Sequence, residues 1–270
     1  MNAPDYTVTR VRHPLKFRLL EVSRIRAITP QLVRITFRGE DLQDFVSASF
    51  DDHVKLFFPA PGEDKPLLPE MGPNGLVFPE GKRPTARDYT PRSYDPVAQE
   101  LDIEFVLHGE GPATSWAAQA KVGQYLGVGG PRGSLIIPTH FDWHVLIGDE
   151  SALPAIGRRL EELPAGSIAL VVAEVENDAA RIDFNSDARV ETHWVYRQDR
   201  YPGDPASLED AVRDLILPAG EGYVWAAGES AVIQSIRKHL VEDRAIAKSR
   251  IRAASYWKQG AVAVHETHED

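Results

Sequence analysis

The chain has 270 residues, room for two modest domains, and its 43% hydrophobic and 26% charged residues with a mean hydropathy of −0.30 are those of a folded, soluble chain. A formal net charge of −10 excludes a general nucleic-acid binder, which needs a basic face to neutralise phosphates. The absence of cysteine excludes disulfides, thiolate zinc sites and protein-ligated iron–sulfur clusters, so redox chemistry would need a borrowed organic cofactor.

The chain starts without a basic segment followed by a continuous apolar stretch, and no apolar run reaches membrane-span length, so a cytoplasmic protein without stable membrane association is expected. From Lys16 to about Pro138 apolar and polar residues alternate, as in Val33-Arg34-Ile35-Thr36-Phe37, His53-Val54-Lys55-Leu56-Phe57-Phe58 and Leu101-Asp102-Ile103-Glu104-Phe105. Proline and glycine punctuate these runs, and Pro59 to Pro84 reads as loop and hairpin; an all-β barrel or sandwich with one short helix follows.

After Asp142 the period changes. Val145-Leu146-Ile147 and Ile168-Ala169-Leu170-Val171-Val172 are short buried runs expected as parallel strands. Leu153, Ile156, Leu160 and Leu163, and Val232, Ile233, Ile236 and Leu240, recur at helical spacing, and Ser207 with Asp210 begins a further helix. The last strand spans Ile251 to Tyr256, and the polar tail beyond Gly260 is expected to be loose.

Four stretches carry candidate chemistry. In Arg87-Asp88-Tyr89-Thr90-Pro91-Arg92-Ser93-Tyr94, alternation puts Arg87, Tyr89 and Pro91 on one face and Thr90 and Arg92 on the other unless a bulge intervenes. A flavin needs a flat apolar partner, a donor near its reactive nitrogen and cations for its pyrophosphate; the competing reading is a solvated strand with a proline turn. His108-Gly109-Glu110-Gly111-Pro112-Ala113-Thr114-Ser115 breaks a strand at glycines and enters a helix, suiting a diphosphate or merely placing Thr114 or Ser115 as a helix cap.

Gly148-Asp149-Glu150-Ser151 and Ala227-Gly228-Glu229-Ser230 are strand-to-helix turns of the kind that bind nucleotides in α/β sheets, though without the G-x-G-x-x-G spacing; capping and tight closure are equal competitors. Lys55, Arg252 and Lys258 are scattered cations that would attract an anionic substrate, while an exposed lysine or arginine is ordinarily a solvated surface charge. The histidines show no metal-ligand spacing, so no protein-bound metal is expected.

Taken in order, Asp52-His53-Val54-Lys55-Leu56, Arg87-x-Tyr89-Thr90-x-Arg92, His108-Gly109-x-Gly111-Pro112-Ala113, Gly148 to Ala155 and Tyr256-Trp257-Lys258-Gln259-Gly260 resemble the siderophore-interacting protein family, over nearly the whole chain from Phe17 to Gly260. The resemblance implies an antiparallel six-stranded flavin-binding β-barrel over residues 1–140. A Rossmann-like parallel-sheet NAD(P)H-binding domain would follow over residues 141–270. It implies an FAD-dependent ferric-siderophore reductase taking electrons from NADH or NADPH, a monomer whose partners are the ferric siderophore and the nicotinamide dinucleotide.

By the same resemblance Arg87 and Arg92 would meet the flavin diphosphate, Tyr89 stack on the ring system and Thr90 bond near its reactive nitrogen. His108, Gly111, Ala113, Thr114 and Ser115 would complete the cradle, and Gly148, Glu150, Ser151, Ala227, Gly228 and Trp257 would face the donor. Lys258, Lys55 and Arg252 would anchor the siderophore. The acidic strand end Ala173 to Asp178 leans toward NADH, and the short tail from Ala261 leans toward a nicotinamide donor over ferredoxin. The alternatives are a ferredoxin-dependent siderophore reductase, a flavin reductase serving another acceptor, and a siderophore-binding module without catalysis.

Overall fold

The structure is a computed structural model that describes residues 5–73, 75–107, 111–198, 200–260 and 266–267. The chain forms two compact units, one of Val8–Ile137 and one of Pro138–Asp270 together with the start of the chain through Thr7.

In the first unit the strands are β1 (Thr9–Arg12), β2 (Phe17–Thr29), β3 (Leu32–Arg38), β4 (Val54–Phe58), β5 (Glu70–Gly72), β6 (Gly75–Val77), β7 (Thr85–Tyr89), β8 (Pro91–Asp95), β9 (Glu100–Val106), β10 (Tyr125–Gly129) and β11 (Gly133–Ile136), with helix α1 (Pro112–Ala118) after β9. Seven of them make one antiparallel sheet in the order β7-β4-β10-β2-β3-β9-β8, while β1 pairs with β11 and β5 with β6.

The alternating runs explain the core. Val33, Ile35 and Phe37 of β3 lie opposite Phe105, Ile103 and Leu101 of β9, so that matched apolar residues point to the same face. Leu20, Val22, Val54, Leu56, Leu126 and Val128 join them, all buried. From α1, Trp116 reaches into this core with its ring centroid 5.8 Å from Phe58, 6.0 Å from Phe105 and 6.3 Å from Phe37.

Strands β7 and β8 are separated by Thr90 alone, yet they are the two outer strands of the sheet. One nearly continuous extended segment therefore serves both edges, which requires the sheet to curl until its edges meet there. Counted as that single segment, the sheet has the six strands expected of the barrel; Thr90 makes them seven.

The second unit contains β12 (Trp143–Gly148), α2 (Leu153–Glu162), β13 (Ile168–Val175), β14 (Arg189–Tyr196), α3 (Pro205–Asp214), β15 (Gly222–Glu229), α4 (Ser230–Glu242), β16 (Ile251–Trp257) and β17 (Glu266–Thr267). Its sheet runs β14-β13-β12-β15-β16-β17, parallel throughout except for β17. The continuous apolar runs are what a parallel strand covered on both faces needs: every residue of β12 and β15 is buried. Leu153, Ile156 and Leu160 of α2 and Val232, Ile233, Ile236 and Leu240 of α4 are buried as their spacing predicts.

Four boundaries differ from expectation. Helix α3 begins at Pro205, two residues before Ser207, because a proline at a first helical turn gives up an amide that would be unpaired anyway. Strand β16 continues through Trp257. The polar tail contributes Glu266–Thr267 as a strand against Ala254–Ser255, since β16 would otherwise leave a row of backbone groups unpaired.

The fourth is the chain's start, expected in the barrel. Tyr6 stacks on Phe141 with ring centroids 4.8 Å apart, and the Arg250 guanidinium lies 4.7 Å from the Tyr6 ring and 4.9 Å from the Phe141 ring. The stack and its cation fasten this segment to the α/β unit.

Candidate functional site

In the barrel unit the candidate residues gather where the sheet's edges meet. Thr90 is buried at the break between β7 and β8, and Arg92 is 9% exposed at an irregularity in the β8–β9 register between Pro91 and Ser93. The break and the bulge interrupt simple alternation across Arg87 to Arg92, so the two-face assignment made from the sequence does not hold through this segment.

Tyr89 packs against Phe105, ring centroids 4.6 Å apart at 42°. Burial pushes its hydroxyl far above the usual tyrosine range, against the pull of the neighbouring Arg87 charge, so the phenol stays protonated and can donate. Arg87 donates to the Ala86 carbonyl at 2.7 Å. Beneath Arg92, the buried Glu104 receives both Arg34 Nε at 2.9 Å and Arg34 Nη2 at 2.6 Å, and its Oε1 stands 3.8 Å from Arg92 Nε.

Gly111 precedes α1 as its N-terminal flanking residue, and a Cβ there would meet nothing within 4 Å among the described residues. The helix starts at Pro112, so Thr114 and Ser115 lie inside its first turn and neither is the cap; Ala113 is buried toward the core. His108, Gly109 and Glu110 lie outside the described residues. This donor set suits a flavin dinucleotide: two arginines and hydroxyls for phosphates, a flat apolar ring, and open space at Gly111. Lys55, on β4 opposite Asp88, is held by that carboxylate at 2.8 Å.

In the α/β unit the sheet order reverses direction at β12, whose neighbours are β13 and β15. Open α/β sheets bind ligands outside the carboxyl ends of strands at such a switch point, here Gly148 and Ala227-Gly228. Both turns are tightly closed. A Cβ at Gly148 would come 2.3 Å from Ala152 Cβ and 2.5 Å from the Ala227 carbonyl oxygen, and Gly228, at φ 155°, would place one 2.7 Å from Asp149 Oδ2.

Asp149 is buried and accepts from four donors: Ser151 N at 2.9 Å and Ser151 Oγ at 2.5 Å on one oxygen, Glu229 N at 3.2 Å and Trp257 Nε1 at 2.8 Å on the other. Burial raises its pKa, and the Ser151 hydroxyl pulls it back. Glu229 caps α4 through the amides of Ala231 and Val232 and accepts from Gln259 N at 3.2 Å.

Glu150, expected to face the donor, is instead clamped by Arg197, whose Nη1 and Nη2 reach its carboxylate at 2.9 and 2.8 Å. Arg197 Nη1 also reaches Glu174 at 3.3 Å. Glu174 is 2% exposed, and burial together with the nearby Asp149 lifts its pKa to about 7 despite Arg197. Within the acidic strand end that favoured NADH, Glu174 thus turns inward onto a cation, while Asp178 remains exposed beside Arg181. Arg197 was not singled out in the sequence, because the pairing joins the ends of three strands far apart in the chain.

Past β14, Tyr196, Arg197, Gln198, Arg200, Ser207 and Asp210 line an open cleft, in which Arg200 Nη1 donates to Ser207 Oγ at 2.6 Å. Lys258 is exposed just past β16, and Arg252 is partly buried within that strand. Among the described residues no cluster of three histidines or acids could hold a metal ion.

Residues 21–135 match the siderophore-interacting FAD-binding domain and residues 141–260 match the siderophore-interacting protein model. An NADPH-dependent ferric-chelate reductase from Escherichia coli (strain K12) is 36% identical over 95% of this chain and 98% of its own length. The chain belongs to the siderophore-interacting protein family. A ferric vibriobactin reductase from Vibrio cholerae, another relative, is also 36% identical, over 90% of each chain. A siderophore utilization protein from T. fusca superposes with a TM-score of 0.89 at 36% identity, covering 96% of this chain and 98% of that one. As in that family, the fold is ferredoxin-reductase-like: an antiparallel FAD-binding barrel followed by a parallel sheet.

Proposed function

We propose that this protein is an FAD-dependent ferric-siderophore reductase that takes electrons from a nicotinamide dinucleotide, with Val8–Ile137 as the flavin domain and the unit that begins at Pro138, together with the start of the chain through Thr7, as the donor domain. The observation that carries the reading is the joining of Arg87, Tyr89, Thr90 and Arg92 at the barrel's seam, in a chain that matches ferric reductases along both halves.

Arg87 and Arg92 neutralise the diphosphate, and Glu104 and Arg34 brace Arg92 from below. Tyr89 offers its ring as a platform, and Thr90, fixed by burial at the seam, offers a hydroxyl at one position. Gly111 leaves room for a phosphate, with the Thr114 and Ser115 hydroxyls in the turn that follows. Bound FAD supplies the conversion between a two-electron donor and a one-electron acceptor.

Gly148, Ser151, Ala227 and Gly228 shape the switch-point turns for the donor, and the cleft holding Arg200 and Ser207 offers donors for an anionic group. Lys258 and Arg252 on the α/β unit, and separately Lys55 on the barrel, would each attract an anionic ferric siderophore despite the acidic whole. Lys55 would do so while sharing its charge with Asp88. No described helix is long and apolar enough to cross a membrane, and the proposed setting is a monomer acting in the cytoplasm on imported siderophores.

The test is an anaerobic absorbance titration with NADPH and NADH separately, followed by ferric siderophores of different ligand class. Bleaching of the flavin band by a dinucleotide and its recovery on adding ferric siderophore are expected. Bleaching by ferredoxin alone would replace the donor, and a colourless protein that still binds siderophore would replace the reductase reading with a binding module.

A further inference from the structure

At the switch point a side chain of the protein itself reaches across the carboxyl ends of the strands. Trp257 ends β16, and in the sheet order β12-β15-β16 its indole must pass the end of β15 to reach Asp149, just beyond β12. Neighbouring strands stand about 4.8 Å apart, so the indole, its hydrogen bond and the Asp149 side chain together bridge roughly 10 Å of the sheet's carboxyl edge.

Two features of the surroundings hold it there. Gly228 at the end of β15 has no side chain to obstruct the Asp149 oxygen that takes the indole N–H, and the same oxygen accepts Glu229 N. On the other side lies the turn at Gly203, where an added Cβ would stand 3.1 Å from Trp257 Cη2 and 2.8 Å from Glu229 Cγ. The indole is therefore held between the end of β15 and the Gly203 turn, yet it remains half-buried.

We propose that the Trp257–Asp149 hydrogen bond is a latch that keeps the dinucleotide crevice closed, so that the nicotinamide donor binds only when Trp257 lets go of Asp149. This rests on the donor reading above. A bond from a neutral donor to a buried carboxylate is among the stronger kinds, so the closed form dominates in the absence of donor and lowers the apparent affinity by the open fraction. Lys258 follows Trp257 directly, so release of the indole also moves a cation assigned to the siderophore.

The holoprotein can be tested with oxidised NADP+ and NAD+, which bind without supplying electrons. Trp257→Phe keeps most of the ring and removes only the N–H, and by calorimetry it is expected to bind the preferred dinucleotide about tenfold more tightly than wild type. Unchanged or weaker binding by this variant would overturn the latch. In wild type, 15N labelling gives the indole N–H signals of five tryptophans, and that of Trp257 is the one missing from the variant. It is expected to shift upfield as NADP+ saturates the site; a signal unmoved at saturation overturns the latch even if the variant proves unstable. Absence of binding by either dinucleotide to wild type and variant alike would overturn the donor reading and the latch together, whereas binding with equal affinity and an unmoved signal would remove the latch alone.

Discussion

The two candidate regions solve opposite problems. At the barrel's seam, from Arg87 to Arg92, the groups that would meet a cofactor lie within six consecutive residues, and strand closure concentrates them at one place. At the carboxyl edge of the parallel sheet, Asp149, Glu150, Glu174, Arg197, Glu229 and Trp257 come from five separate stretches and mostly satisfy one another. A preformed cradle and a self-satisfied crevice should respond differently to mutation.

The seam should fail through ligand loss. Tyr89→Ala removes the proposed flat partner of the flavin and is expected to weaken FAD binding by on the order of 100-fold, so that the protein purifies without its visible flavin band. It also opens a void beside Phe105, and chemical denaturation should show a loss of about 3 kcal/mol. A variant that keeps full flavin at that cost in stability would make Tyr89 a packing residue and dissolve the contrast from the barrel side.

The crevice should fail through stability. Asp149→Ala leaves the amides of Ser151 and Glu229 and the indole of Trp257 without their acceptor, and a loss of about 3–4 kcal/mol is expected in urea unfolding, with flavin content retained. Loss of flavin without loss of stability would reverse the assignment.

Glu174 sharpens the same point through pH. Its pKa is raised in the folded protein from 4.5 to about 7, so the folded state holds a proton that the unfolded chain releases earlier. Its contribution to stability is complete below about pH 4.5 and is lost as pH rises through 7, up to about 3 kcal/mol. Glu174→Gln should flatten the fall in stability between those pH values, measured as denaturation midpoint against pH; an unchanged slope would mean that Arg197 keeps the carboxylate ionised throughout. The smallest effect belongs to Lys258→Ala, expected to raise KM for an anionic ferric siderophore about threefold at low salt, with the difference shrinking as salt is added. A difference that persists at high salt would exclude a purely electrostatic role.

Periodicity made the architecture legible: alternation in Val33–Phe37 and Leu101–Phe105 became facing barrel strands, and the unbroken runs from Val145 and Ile168 became buried parallel ones. The strand-to-helix turns were also legible, because a glycine between a buried run and an amphipathic stretch has few other uses. Partnerships were not. Nothing local marks Arg197 as the partner of Glu150 and Glu174, or Trp257 as the partner of Asp149, since sheet order alone makes those pairs neighbours. The break at Thr90 escaped for the same reason: within the segment it looks like one residue of a strand, and only the closure of the sheet assigns its two sides to different edges.

The early residues that sit against Phe141 and Arg250 give the molecule an unusual wiring. The chain begins in the α/β unit, leaves it after Thr7 and returns at Pro138, and its outward and returning strands pair side by side, Thr9 opposite Ile136. In topological terms the barrel is a guest spliced into its host near the host's beginning. A fragment starting at residue 138 would therefore lack Tyr6 and bare the faces of Phe141 and Arg250 that it covers, whereas a circular permutant joined so that residues 138–270 run directly into residues 1–7 would keep the host whole.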